Sequence, residues 1–211
     1  MFNYNNTRLF LRKLILTLRN FKKTAYHHYG HSPKSFFKLF YYSGLKANTF
    51  IVFESNLLNI PKPVSLGSDY EVTKPTIDEL KKIRNGRDLP REFYYDVIYN
   101  AKKYYLVFKK GEVASIHWVF HGKDYSRFFK LSDYIAELNY FTVLPEFRGD
   151  NLMFKMTILI CNDLKDAGYK KAVTAIHELN HPAVRCFDKA NFERTATIKT
   201  IGPFNKKLKI T

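Results

Sequence analysis

Carboxylates are missing from the start of this chain: residues 1–53 hold no aspartate or glutamate, and the first is Glu54. The same stretch is basic, with nine Lys or Arg in its first 50 residues, whereas the remaining 161 carry 26 basic against 19 acidic groups. The formal charge of +16 is thus split between a one-signed N-terminal stretch and a mildly basic body. Such a surface attracts anions, whether nucleic acid, acidic lipid or a phosphorylated small molecule, and charge alone does not choose among them. Cysteine is nearly absent. Cys161 and Cys186 allow neither a disulfide framework nor a metal cluster, so a reducing compartment is expected. No apolar run approaches the ~20 residues that span a bilayer. The stretch RLFLRKLILTLRNFKK is too short and interrupted for a signal-peptide core, and no small-residue cleavage site follows. The expected place is the cytoplasm, with the membrane periphery as the alternative.

What is present divides at a proline-rich connector, NIPKPVSLGSD, giving an expected extension over 1–64 and a main domain over 65–211. In the extension, Thr7 is placed to cap a helix over 8–23. Its Leu11, Leu14, Ile15 and Leu18 fall at helical spacing, ringed by Arg8, Arg12, Arg19, Lys22 and Lys23. That helix either packs on the protein's own core or lies on an anionic membrane. KLFYYSG and NTFIVFESNL read as two β runs. In the main domain, DYEVTKP is a strand, TIDELKKIRNG a helix with a threonine cap and a glycine stop, and PREFYYDVIYNAKK a second helix. YYLVFKKGEVASIHWVFHG reads as a hairpin, AELNYFTVLP as a strand, and LMFKMTILICNDLKDAG as a long apolar helix. A strand, a short helix and two β runs finish the chain. The class is α+β, mixing an antiparallel meander with one strand-helix-strand unit.

Residues 177–181 spell H-E-x-x-H, the zinc metalloprotease signature. That motif needs two histidines one turn apart on a helix. Here Pro182 follows His181 directly and drives it out of helical geometry, while KKAVTAI upstream is β-rich. A strand end followed by a turn is expected, and no metal. His117 and His121 share one strand face without a third partner and read as structural or surface groups. No G-x-S-x-G elbow is present.

The informative segment is ELNYFTVLPEFRGDNLMFKMTILI, residues 137–160. A strand stops at Pro145, a short loop carries Arg148 and Gly149, and a long helix begins near Asn151. The first amides of a helix lack internal partners and its dipole favours anions. An adjacent guanidinium and a glycine permitting close approach complete an anion cradle suited to a pyrophosphate.

VLPEFRGDNLM resembles the V-x-P-x-x-R-G-x-G-x-G/A motif of the GNAT superfamily of N-acetyltransferases. NHPAVRCFDKANFE, about 35 residues on, resembles that family's N-x-x-A-x-x-x-Y-x-K-x-G-F motif. The resemblance covers about residues 68–205. It implies a GNAT fold, a mixed and mostly antiparallel sheet flanked by helices, preceded here by the basic extension. It implies acetyl-CoA as acyl donor, the backbone of Phe141, Thr142 and Val143 pairing with the pantetheine arm, and amides from Arg148 through Gly149, Asp150, Asn151 and Leu152 to Met153 holding the pyrophosphate. Asn180 would contact the cofactor at the end of the next strand, and Pro182 suits the first turn of the following helix. Asn151 and Met153 replace small residues of the family loop, Phe187 stands where many members place an acid tyrosine beside the cofactor, and Asn191 replaces a glycine.

The implied reaction is direct attack of an amine on the acetyl thioester, aided by a carboxylate base. Glu137 is the candidate, since it lies six residues before Val143 and period two puts both on one side. Tyr140 is a substitute acid. The aromatic run REFYYDVIYNAKKYY marks the acceptor region, and the expected acceptor is a small amine, an amino sugar among the options. The alternative is a degenerate, non-catalytic GNAT module binding acyl-CoA or an anionic partner. An anionic membrane surface meeting residues 8–23 is a further expected partner, nucleic acid is disfavoured for want of a motif, and homo-oligomerisation is left open.

Overall fold

The computed structural model describes residues 11, 14, 15, 21–44, 47–201 and 206–210. The elements run α1 (Phe21–Tyr29), α2 (Lys34–Gly44), β1 (Ala47–Asn56), β2 (Tyr70–Thr73), α3 (Ile77–Arg84) and α4 (Tyr95–Tyr99). They continue with β3 (Lys103–Lys109), β4 (Glu112–His121), β5 (Ile135–Val143), α5 (Leu152–Asp166), β6 (Lys171–His177), α6 (His181–Lys189), β7 (Glu193–Ile201) and β8 (Lys206–Ile210). The helix expected over 8–23 falls mostly outside the described residues. Of its stripe, Leu11, Leu14 and Ile15 are described and are exposed.

All eight strands form one sheet in the order β2-β3-β4-β5-β6-β1-β7-β8. Every neighbouring pair whose direction the ladder records is antiparallel except β5–β6, which is parallel. Alternating burial along the strands feeds two cores. On one face α5 and α6 cover Phe53, Ala136, Leu138, Met156, Ile160 and Phe187. On the other, α3 and α4 cover Leu106, Ile116, Trp118 and Phe120. The capping box foreseen at Thr76 is formed: its hydroxyl accepts from the Glu79 amide, and Glu79 accepts from the Thr76 amide. A buried pair, Arg84 to Asp96 at 2.6 and 2.9 Å, fastens α3 to α4. Among the described residues, no helix is long and apolar enough to cross a membrane.

Three sequence expectations are corrected. KLFYYSG is helical, within α2, because Ser32-Pro33 starts a helix and Ser35 and Leu39 fall one turn apart on its buried side. The helix expected over PREFYYDVIYNAKK shrinks to a 3-10 turn at Arg91–Tyr94 followed by five residues of α4. The boundary at 64/65 also cuts across the sheet. β1, assigned to the extension, lies between β6 and β7 with Phe53 fully buried, so the proline-rich connector is a surface crossing inside one folded unit.

Candidate active site

The site is a fork in the sheet. β5 and β6 pair in parallel over only three positions, Ile135 with Lys171, Ala136 with Ala172 and Glu137 with Val173. Beyond Glu137 the strands part, and β6 continues to His177 paired with β1 alone. A bulge causes the parting. On the β4 side, His117 alone stands opposite Tyr140 and Phe141, and Tyr140 adopts a left-handed φ of 53°. A tyrosine is an uncommon occupant of that region. Its ring is clamped by Tyr95 at 4.1 Å and Tyr99 at 5.4 Å, and its hydroxyl donates to Tyr99 at 3.1 Å. The β6-facing backbone of Phe141, Thr142 and Val143 is thereby freed from the β5–β6 ladder.

The bulge overturns one sequence argument. Because it shifts the strand's phase, Glu137, opposite Phe120, faces α3 and α4, whereas Val143 packs on the α5 side. Glu137 and Val143 lie on opposite faces.

At the C-terminal end of β5 the chain makes a 3-10 turn at Pro145–Phe147, then Gly149 at φ 114° and Asn151 at φ 55° lead into α5. The first α5 bond runs from the Lys155 amide to the Asn151 carbonyl at 3.0 Å, leaving the amides of Leu152, Met153 and Phe154 without partners inside the helix. The Leu152 side chain points into the core, so only its backbone faces the turn. A Cβ on Gly149 would meet nothing within 4 Å, so the glycine answers to its φ and keeps the approach to these amides open. Beside the turn lies an open cleft of about 420 Å³ lined by Tyr70, Lys109, Asp150, Asn151 and Lys155 among others. The Asp150 carboxylate is held below its usual range, first by Lys109 and then by Tyr70, each at 2.6 Å.

Arg148 behaves differently from the expectation. Its amide already donates to the Pro145 carbonyl at 3.3 Å, so it is not one of the free cradle amides. Its guanidinium turns to α1, donating to the His27 carbonyl at 3.0 Å, and to the Val143 carbonyl at 3.3 Å. Burial, and then His28, hold His27 neutral with a pKa of about 3. The next residue, His28, bonds Glu92 at 2.9 Å, so α1 bridges the turn and the α4 side of the fork.

On the α4 face, Glu137 sits at the vertex, buried. Its Oε1 accepts from Asn139 at 2.7 Å, while Oε2 is buried without a partner. Burial pushes its pKa up to about 7, against a smaller opposing bond from Asn139. Tyr125, Tyr99 and Tyr140 stack in series, at 5.7 and 5.4 Å, from the surface inward. Burial raises the Tyr140 phenol well above its ordinary value, so it keeps its proton. The loop 122–134 closes over this face, setting Phe128 against Phe50 of β1 at 4.9 Å.

The H-E-x-x-H letters resolve as a strand end plus a cap. His177 ends β6 and bonds Asn48 at 2.9 Å, and Asn180 caps α6 by accepting from the Ala183 amide at 3.3 Å. Pro182 occupies the first turn of α6. The two histidines therefore share no helix. Phe187 lies in the core among Phe53, Phe141 and Phe192 and presents no surface to the fork. Asn151 and Asn191, the two departures from family glycines, both adopt left-handed φ, of 55° and 63°, which asparagine tolerates best after glycine. Sequence reading missed Arg127, Tyr125 and Asn139. The interleaved aromatic and basic run YSRFFK in the 122–134 loop was the available signal.

The acetyltransferase (GNAT) family profile matches residues 72–192, more than half of the chain. No curated protein matches. Among solved structures, a protein assigned to the GNAT family from Novosphingobium aromaticivorans aligns at TM-score 0.52 and 12% identity, over 74% of this chain and 64% of its own. A GCN5-related N-acetyltransferase from Sphaerobacter thermophilus gives 0.52 and 11%, over 79% and 55%. A fungal glucosamine N-acetyltransferase region within a multi-domain β-N-acetylglucosaminidase gives 0.55 and 11%, over 80% and 23%. The chain spans less than two thirds of the length of each, and at these identities the likeness is one of fold.

Proposed function

Because the chain belongs to the GNAT acetyltransferase family, we propose that it is an acyl-CoA-dependent N-acetyltransferase that acts on a small amine. The observation that carries this reading is the fork itself. A partnerless, buried carboxylate oxygen of Glu137 stands at its vertex, and the amide turn at 149–154 stands at the end of its β5 arm. Acetyl-CoA, when bound, supplies an activated acetyl thioester.

The chain's residues supply the rest. The amides of Leu152, Met153 and Phe154 meet the diphosphate, with Lys155 adding positive charge beside them while Lys109 is paired with Asp150. The freed backbone of Phe141, Thr142 and Val143 orients the pantetheine arm by strand-like pairing. Glu137 Oε2 accepts the proton that the acceptor amine loses, and a pKa of about 7 makes it a base at neutral pH. Asn139 holds the other oxygen in place at 2.7 Å. Neither Phe187 nor Tyr140 protonates the leaving thiolate, because the first is apolar and the second keeps its proton on a bond to Tyr99. A thiol of ordinary pKa near ~8.5 leaves as thiolate with water as the proton source. An amino sugar is one acceptor of the right size.

The test is acetyl-CoA consumption, read as free thiol, across a panel of small amines, with acetyl-CoA binding measured in parallel by calorimetry. Turnover with any amine is expected. Tight binding with no turnover across the panel would establish the non-catalytic alternative, and no binding at millimolar concentration would sink both.

A further inference from the structure

The other guanidiniums described around the fork have acceptors in hand. Arg84 holds Asp96, Arg91 holds Glu92 at 3.0 Å, and Arg148 holds two backbone carbonyls. Arg127 does not. Its Nε is buried with no hydrogen-bond partner, and among the described residues no carboxylate pairs with it. The side chain is nevertheless fixed, its guanidinium lying over the Phe50 ring at 4.9 Å and the Phe128 ring at 4.6 Å. Two aromatic faces hold a cation in position while leaving its in-plane donors unspent.

Where that cation points matters more than its pairing. Arg127 sits two residues from Tyr125, whose ring stacks on Tyr99 at 5.7 Å and through it on Tyr140 at 5.4 Å, the series that lines the acceptor side of the fork. The 122–134 loop therefore sets an unpaired cation beside the open end of the tyrosine series. A buried donor without a partner is costly, and an orphan charged donor is the kind of vacancy that a ligand's anion fills.

We propose that Arg127 is an anion-recognising specificity residue of the acceptor pocket, so that the preferred acceptor is an amine that also carries a carboxylate or phosphate group. This rests on the transferase reading for the role of Glu137, but not for the binding itself. The amine goes to Glu137, the anion takes the guanidinium through paired N–H donors, and the tyrosine series covers the body between them. A neutral amine satisfies only the first contact. The chain's net charge of +16 draws the same class of ligand towards its surface.

The experiment measures binding of matched acceptor pairs to the full chain by calorimetry in the presence of coenzyme A. Glucosamine 6-phosphate is set against glucosamine, and phenylalanine against phenylalaninamide. The expected result is that the anionic member of one pair binds about tenfold or more tightly, as a charged hydrogen-bond pair warrants. Which pair shows the preference distinguishes phosphate from carboxylate. In Arg127→Gln that ratio should collapse towards one, and in Arg127→Lys part of it should survive. A ratio within one variant is insensitive to the fraction of folded protein, so partial misfolding does not mimic the effect. Equal binding within both pairs in the parent chain, or a preference that Arg127→Gln leaves intact, would overturn the proposal. An intact preference lost in Arg127→Gln, without any acetyl transfer, would instead sink the transferase reading and leave the anion site standing.

Discussion

The two ends of the fork are built by opposite means. The turn at 144–154, the proposed donor side, is one contiguous segment built from backbone amides, a glycine φ of 114° and a helix start. The acceptor side is assembled from side chains on four separate segments: Tyr95 and Tyr99 of α4, the 122–134 loop, Glu137 and Asn139 of β5, and Phe50 of β1. Backbone chemistry tolerates side-chain change, which is why Asn151 and Met153 can stand in a loop of small residues. Side-chain chemistry does not. The difference predicts that acceptor-side substitutions abolish turnover or redirect it, while donor-side substitutions weaken the site by degrees.

The largest break in that comparison should come from Glu137→Gln. Loss of a general base lowers turnover by about 10²–10⁴-fold, with acetyl-CoA affinity little changed. The pH profile sharpens the test. Since burial raises this carboxyl to about 7, kcat/KM for the parent chain should climb as pH rises to that value and then level, and the Gln variant should lack the rise. Stability runs the other way. A folded-state pKa above the ordinary 4.5 means the native chain holds a proton that the unfolded chain gives up, so stability falls as pH rises between about 4.5 and 7. Glu137→Gln should remove that fall, as chemical denaturation at several pH values would read. A variant equally inactive but with an unchanged stability profile would show that the carboxyl is not the buried, neutralisable group described.

Gly149→Val probes the donor side. Nothing crowds a Cβ there, so the cost comes from a left-handed φ of 114° that an L side chain rarely adopts. Strain of that kind costs about 1–3 kcal/mol, and relieving it rotates the peptide that leads to the free amides. Acetyl-CoA affinity should drop by about fivefold to 150-fold by calorimetry, the conversion of that strain, with the acceptor preference intact. A variant that loses acceptor discrimination but not donor affinity would reverse the assignment of the two ends.

This contrast also explains what could be read before the fold was known. The turn at 144–154 and the Asn180 cap were legible as backbone features because their physics is local: a strand stop, a glycine, a helix start and a cap lie within consecutive residues. So were the antiparallel meander and the strand ending at His177. Glu137 was picked by position, but the supporting parity argument failed, because a bulge at Tyr140 is a tertiary feature that alternation along one strand does not announce. KLFYYSG misled for a related reason: its aromatics favour strands, and the helix is decided by the Ser32-Pro33 start and the burial of Leu39. Arg127 went unseen because its meaning lies in what it lacks. Only the assembled fold shows a guanidinium seated on Phe50, 77 positions away along the chain, with its Nε unspent.

The smallest effect separates two uses of one residue. Arg148 belongs to the family motif, where a guanidinium beside a diphosphate would be expected to add to donor affinity. Here its donors are committed to the carbonyls of His27 and Val143, at 3.0 and 3.3 Å, which ties α1 across the mouth of the turn. Turning towards a phosphate would break both bonds and leave the buried His27 carbonyl without its charged donor. Arg148→Ala should therefore act on the tie. Arg148 is itself exposed, so losing its charged donor costs about 1 kcal/mol, which for a chain of this size lowers Tm by about 2–4 °C. Acetyl-CoA affinity should move by less than about threefold, since the amides of Leu152 to Phe154 remain. A tenfold loss of affinity at constant Tm would mean that the guanidinium leaves α1 for the ligand. In that case the donor end, like the acceptor end, would depend on a side chain, and the contrast between them would narrow to one of degree.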